Sequence, residues 1–132
     1  MPEDYNTAAK RCDEEFSGAV LASVHSREEM DFILSLRVQG EGEFWIGGSR
    51  LFNQPWVWED ASLFDFQDWA ENEPANVASR QGCLSVQGDD FEAKWVDSKC
   101  KKNYFYACKR DPLRKCRPAG GEREKRVGAV PL

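Results

Sequence analysis

Reactive side chains are scarce in this sequence, and their spacing excludes more chemistry than it admits. Its five cysteines, Cys12, Cys83, Cys100, Cys108 and Cys116, include no Cys-x-x-Cys pair, and His25 is the only histidine. Structural zinc needs Cys and His ligands at short local spacings, so it is excluded, and a dithiol redox motif fails on the same ground. A cysteine nucleophile needs a histidine beside it, for which His25 is the sole candidate. Neither a Gly-x-Ser-x-Gly turn nor a phosphate-cradling glycine loop occurs. Glu71 and Glu73 have the residue types of a glycoside hydrolase pair, but exposed carboxylates are common on any surface. Asp89, Asp90 and Glu92 read as a solvated acidic turn. No enzymatic activity is expected.

Four of the cysteines lie in the part of the chain that reads as folded, and Cys116 lies in a tail. Two disulfides with one spare thiol is one reading. Five buried, reduced cysteines is the other, because free cysteine is a common core residue. Disulfides would restrict the unfolded chain and would require an oxidising compartment.

The chain has 132 residues, 41% hydrophobic and 31% charged, which is enough for one domain with a core and too little for two. No apolar run approaches the length of a membrane span. The first residues include Glu3, Asp4, Lys10, Arg11, Asp13, Glu14 and Glu15, with no basic stretch followed by an apolar one, so no signal peptide is read there. Residues 1–108 carry ten Lys/Arg against twenty Asp/Glu, and residues 109–132 carry eight against three. An acidic body is a poor match to nucleic acid, and no nucleic-acid partner is expected. Residues 110–132 are rich in Pro, Gly and basic residues and poor in anything that packs, so a basic, disordered tail is expected.

The body opens with helices. Tyr5, Ala8, Ala9, Cys12 and Phe16 recur at helical spacing among charged residues, predicting an amphipathic helix that ends near Gly18 with Cys12 on its buried face. Ser26 and Glu29 have the spacing of a capping box, predicting a second helix to about Val38, with Phe32, Ile33 and Leu36 on its apolar face. After Gly40 come short aromatic and β-branched segments punctuated by Gly, Asn, Pro and Asp. Strands are predicted at Phe44–Gly47, Trp56–Glu59, Cys83–Val86, Glu92–Val96 and Tyr104–Lys109. The long stretch between Asp60 and Gly82 lacks periodicity, but Phe64, Phe66 and Trp69 are expected to anchor it. The expected class is α+β: two helices, then small antiparallel sheets and a long loop region.

In this order the segments resemble the C-type lectin-like domain. The matching residues are Cys12 in the first helix, Gly18 to Val24 followed by Ser26 and Glu29, and Phe44-Trp45-Ile46-Gly47-Gly48. They continue with Trp56-Val57-Trp58-Glu59-Asp60, Trp69 followed by Glu73-Pro74, Cys83, Trp95-Val96-Asp97, Cys100, and Tyr106-Ala107-Cys108-Lys109. The resemblance spans residues 5–109, so residues 1–109 are taken as the domain. It implies bridges Cys12–Cys108 and Cys83–Cys100, an extracellular or secreted setting, and a glycan or protein ligand. It also implies an N-terminal strand that is missing here, so the chain is expected to be truncated at its N-terminus, with Phe105 and its neighbours left as an unpaired edge. Cys116 has no place in the pattern and is expected to be free or paired to another chain.

Sugar-binding members of the family hold calcium through a Glu-Pro-Asn motif, an acid shortly before the third framework cysteine, and a Trp-Asn-Asp motif. Here Glu73 and Pro74 match, but Ala75 replaces the Asn, Gln81 replaces the acid, and Val96 replaces the Asn after Trp95. Calcium wants six to eight oxygen ligands, several of them carboxylates. The candidate ligand-binding residues are Glu73, Asn76, Gln81 and Asp97. No cofactor is expected; the alternative is a weak calcium site through Glu73, Asn76 and Asp97. The resulting expectation is a recognition module without strict calcium dependence, set against a calcium-dependent lectin or a structural fragment with no ligand of its own.

Overall fold

A computed structural model of the chain describes residues 2–37, 42–75 and 81–110. Val38, Asn76 and residues 111–132, Cys116 among them, lie outside the described residues, whereas Arg110, expected to open the tail, ends a strand paired with Ala19. Helix α1 spans Tyr5–Glu15; the Asp4 carboxylate accepts the Thr7 N–H at 2.8 Å, satisfying a first-turn amide that has no partner inside the helix. It buries Tyr5, Ala8 and Cys12. Helix α2 spans Arg27–Ser35 and starts at Ser26, whose hydroxyl accepts the Glu29 N–H at 3.0 Å. The reciprocal bond differs from the expected capping box. Glu29 Oε1 accepts the His25 N–H at 2.8 Å, one residue before the cap, while its other oxygen meets Lys109 Nζ at 2.7 Å. The apolar face also differs: Met30, Ile33 and Leu34 are buried, whereas Phe32 and Leu36 are exposed. A stripe at i, i+3 and i+4 faces the core, and Phe32 and Leu36 fall outside it.

Among the described residues seven strands form two sheets. β1 (Ala19–Leu21) pairs antiparallel with β7 (Cys108–Arg110). The larger sheet is organised on β2 (Phe44–Leu51), with β4 (Gln81–Gln87) antiparallel along one edge and β5 (Lys94–Lys99) beyond it. On its other edge β2 pairs first with β6 (Phe105–Tyr106), parallel, and then with β3 (Val57–Trp58), antiparallel. The segment expected as one strand from Tyr104 to Lys109 is therefore divided between two sheets. The expected unpaired edge at Phe105 is corrected by the same pairing: Phe105 stands opposite Phe44, and Tyr104 exchanges two backbone hydrogen bonds of 2.9 Å with Glu3. The strand expected at Glu92–Val96 also starts later. Residues Asp90–Glu92 form a short 3-10 helix, and β5 begins after it at Lys94.

Alternation along β2 and β4 separates two cores. Phe44, Ile46, Leu84 and Val86 face a cluster with α2, Trp58 and Trp95, while Trp45 and Cys83 face one with α1, Leu21 and Cys108. Both expected bridges are present, Cys12–Cys108 and Cys83–Cys100, with Cα–Cα distances of 5.5 and 5.2 Å. Gly47 is required where β2 crosses β1: its N–H bonds Ala22 O at 2.7 Å, and a Cβ there would collide with the Leu21 carbonyl.

Residues 60–75 contain no strand, yet they are stitched to the sheet. The Trp95 N–H bonds Asp68 O and the Ala70 N–H bonds Trp95 O, both at 2.9 Å. The Trp95 indole is met edge-on by Trp58, Phe64, Phe66 and Trp69 at 5.5–5.9 Å. The anchoring expected of Phe64, Phe66 and Trp69 is thus met through one buried ring, an arrangement favoured by the quadrupoles of the rings.

Candidate functional site

Three of the candidate ligand positions, Glu73, Gln81 and Asp97, lie beside one edge of the sheet formed by β2, β4 and β5. Along β2 the even-numbered residues Phe44, Ile46, Gly48 and Arg50 are buried, so strand alternation carries a guanidinium inward. Arg50 Nη2 lies 3.5 Å from Asp97 Oδ2 on β5, and the two side chains are 7% and 0% exposed. The Trp56 ring lies 5.8 Å from the guanidinium carbon. Gly82 on β4 makes room for this pair: a Cβ there would lie 2.6 Å from Asp97 Oδ1 and 3.3 Å from Arg50 Nε.

Glu73 reaches the same place from the loop, across a cis Glu73–Pro74 peptide bond. Its Oε1 accepts the backbone N–H of Ala75 and that of Asp97, each at 3.0 Å. Glu73 and Asp97 are therefore brought together, but through the Asp97 backbone. The Asp97 carboxylate is directed inward to Arg50. Gln81 opens β4 opposite Leu51, next to Gly82. Asn76 is not among the described residues.

A second polar cluster holds the start of the long loop. His25 Nδ1 is 2.7 Å from Asp65 Oδ1, and its Nε2 is 3.0 Å from Ser62 Oγ. The atom order is that of a hydrolytic triad, but the Ser62 hydroxyl donates to Asp60, so its proton is directed away from the imidazole. Asp60 also accepts the Ser62 N–H at 3.0 Å and the Ser23 hydroxyl at 2.6 Å. Burial pushes the Asp60 carboxyl up, and these bonds together with Lys109 outweigh it, holding the group below the ordinary carboxylate range. The hydrogen bond from His25 lowers Asp65 in the same direction. Further along, buried Asp68 meets Arg27 and Lys94, each at 3.0 Å. The cluster acts as a clamp between the loop, the connection from β1 to α2, and α2 itself.

Arg50, Gly82 and the His25 clamp are absent from the sequence-derived candidates. The signal for Arg50 is its parity with Phe44 and Ile46, since a basic residue on the buried phase of a strand implies an acidic partner. No comparable signal exists for His25, whose partners lie 37 and 40 positions away. On the outer face of the β2–β3 hairpin, Leu51, Phe52 and Val57 are 62%, 61% and 51% exposed. Val57 pairs with Ser49, which puts it on the same face as Leu51.

The two-core architecture, the bridges and the loop held on Trp95 define a class already known. The chain belongs to the lectin C-type domain family, whose model matches residues 1–110. A lectin from Pleurodeles waltl is 32% identical over 106 residues, 74% of this chain and 59% of that protein. Ladderlectin from Oncorhynchus mykiss is 37% identical over 91 residues, 66% of this chain and 47% of that protein. The chain thus spans between about half and three-fifths of the length of these relatives. Among solved structures it is similar to a calcium-independent type II antifreeze protein, at 25% identity and a TM-score of 0.69, covering 80% of this chain and 77% of the other. The chain is a lectin-like recognition module by family, and among the described residues no helix is long and apolar enough to cross a membrane.

Among the described residues the oxygen donors at this place are few and already engaged. Asp97 is sealed against a cation, Glu73 Oε1 is occupied by two amides, and Ala75 and Val96 offer no side-chain oxygen. Among the described residues, no three Asp, Glu, His or Cys side chains come together as a metal group.

Proposed function

We propose that residues 1–109 form an extracellular recognition domain that binds a protein ligand on its long-loop and hairpin face without calcium. The carrying observation is that the Asp97 carboxylate is directed to Arg50 inside the sheet rather than outward to solvent. A divalent ion there would meet a guanidinium already paired with one of the two carboxylates. The choice of a protein over a glycan rests on the hairpin, where Leu51, Phe52 and Val57 expose aliphatic and phenyl surface. The similarity to an antifreeze protein named calcium-independent supports the same reading.

The test is retention of the oxidised domain on arrays of recombinant extracellular proteins and of glycans, in millimolar calcium and in chelator. Retention on a protein probe, unchanged by chelator and lost with Leu51→Ser and Phe52→Ser together, is expected. Retention abolished by chelator overturns the calcium-independent reading. Retention on glycans alone overturns the protein reading, and retention on neither leaves the structural fragment in its place.

A further inference from the structure

The mismatch with calcium leaves a question about charge. Asp97 is an ionisable group with no exposure, and a buried carboxylate is tolerated only when an opposite charge or strong hydrogen bonds replace its hydration. Facing it across the sheet is the Arg50 guanidinium, itself buried, pinned by Trp56 and admitted by Gly82. Three features of three separate segments thus converge on one guanidinium. The same strand position that carries the Asp97 carboxylate also presents its N–H to Glu73, which in turn fixes the Ala75 N–H.

We infer that Arg50 is a built-in cation: it serves as a counter-charge of Asp97 and thereby positions the Glu73–Ala75 segment of the recognition face. This rests on the calcium-independent reading above and adds to it a specific residue and a mechanism. Calcium acts from solution and can be removed; a guanidinium on β2 is always present, so the loop is held in one arrangement whatever the surrounding calcium. Arg50 is a positioning residue, acting through Asp97 and Glu73.

The experiment compares Arg50→Met, Arg50→Lys, Asp97→Asn and the double variant R50M/D97N, each oxidised, by thermal unfolding and by hydrogen exchange at the Ala75 and Asp97 amides. Removing one member of a buried pair is expected to lower the melting temperature of R50M by roughly 10–20 °C. R50K, which keeps the charge, is expected to melt closer to wild type than R50M does. The double variant, with no uncompensated charge, is expected to melt above R50M, a sign that a purely packing role of Arg50 would not produce. Exchange at both amides is expected to accelerate in R50M and to stay slow in R50K. Should R50M fail to fold, recovery of the double variant relative to D97N carries the same test. The inference is overturned if R50M melts with R50K, or if the double variant melts at or below the less stable single one. Wild-type unfolding in calcium and in chelator separates the two levels: a calcium-dependent rise in wild type overturns calcium independence itself, whereas a flat wild-type response with additive variants overturns the role of Arg50 alone.

Discussion

The two disulfides divide the stabilisation unequally, and the inequality follows from sequence separation. Cys12–Cys108 joins residues 96 apart, and Cys83–Cys100 joins residues 17 apart. In the chain-entropy model, closing the longer loop restricts the unfolded chain by about 4.7 kcal/mol and the shorter by about 3.1 kcal/mol. Replacing each pair by alanine removes the same atoms, and three of the four cysteines are fully or almost fully buried, so the packing losses are similar and largely cancel in the comparison. The C12A/C108A variant is therefore expected to be about 1.5 kcal/mol less stable than C83A/C100A. For a domain of this size that is a difference of roughly 5–9 °C in melting temperature. The assay is urea and thermal unfolding of both variants, without reductant, at one pH. Equal stability of the two variants, or a less stable C83A/C100A, would refute the reasoning, because loop length would then not be the controlling quantity.

Three other outcomes follow from named contacts. Asp60, held below its ordinary carboxylate range, contributes stability above the unfolded value and loses it as pH falls through the lower folded value; Asp60→Asn is expected to cost about 1–3 kcal/mol at neutral pH, with the gap from wild type closing in acid, as urea titrations across pH will report. Gly47→Ala puts a methyl into the Leu21 carbonyl and is expected to cost about 1–3 kcal/mol, measured by thermal unfolding. Trp95→Ala removes the ring on which four aromatic side chains converge and is expected to cost about 3–5 kcal/mol, with tryptophan fluorescence and limited proteolysis reporting release of residues 60–75.

What could be read in advance divides along a physical line. Helical spacing and the cap at Ser26 are local, and both helices begin where their side-chain chemistry allows. The cysteine pairing came with a family resemblance, since nothing in the spacing alone joins Cys12 to Cys108. The Tyr104–Lys109 segment was misjudged as one strand because its β-forming residues are continuous, while its partners, Glu3, β2 and β1, are set by tertiary contacts far away in sequence. The ligand positions show the same limit. Glu73 and Asp97 do meet, as their motif implies, but the direction of the Asp97 carboxylate depends on Arg50, 47 positions earlier, and on the missing side chain of Gly82. Motif position locates a residue; its neighbours across the sheet decide what its oxygens face.

The division of the segment from Tyr104 to Arg110 among three partners has a consequence for how the protein is made. Residue Glu3, the strand Phe44–Leu51 and the strand Ala19–Leu21 all wait for backbone that is synthesised long after them. During translation the first helix and β1 leave the ribosome with apolar faces, Tyr5, Ala8 and Leu21 among them, whose covering is not yet present. Closure is then concentrated in a late step, when one stretch of seven residues arrives and completes pairings begun some sixty to a hundred positions earlier. Non-local contacts of this kind slow folding, and the interval before closure is when the nascent chain depends most on protection from other chains.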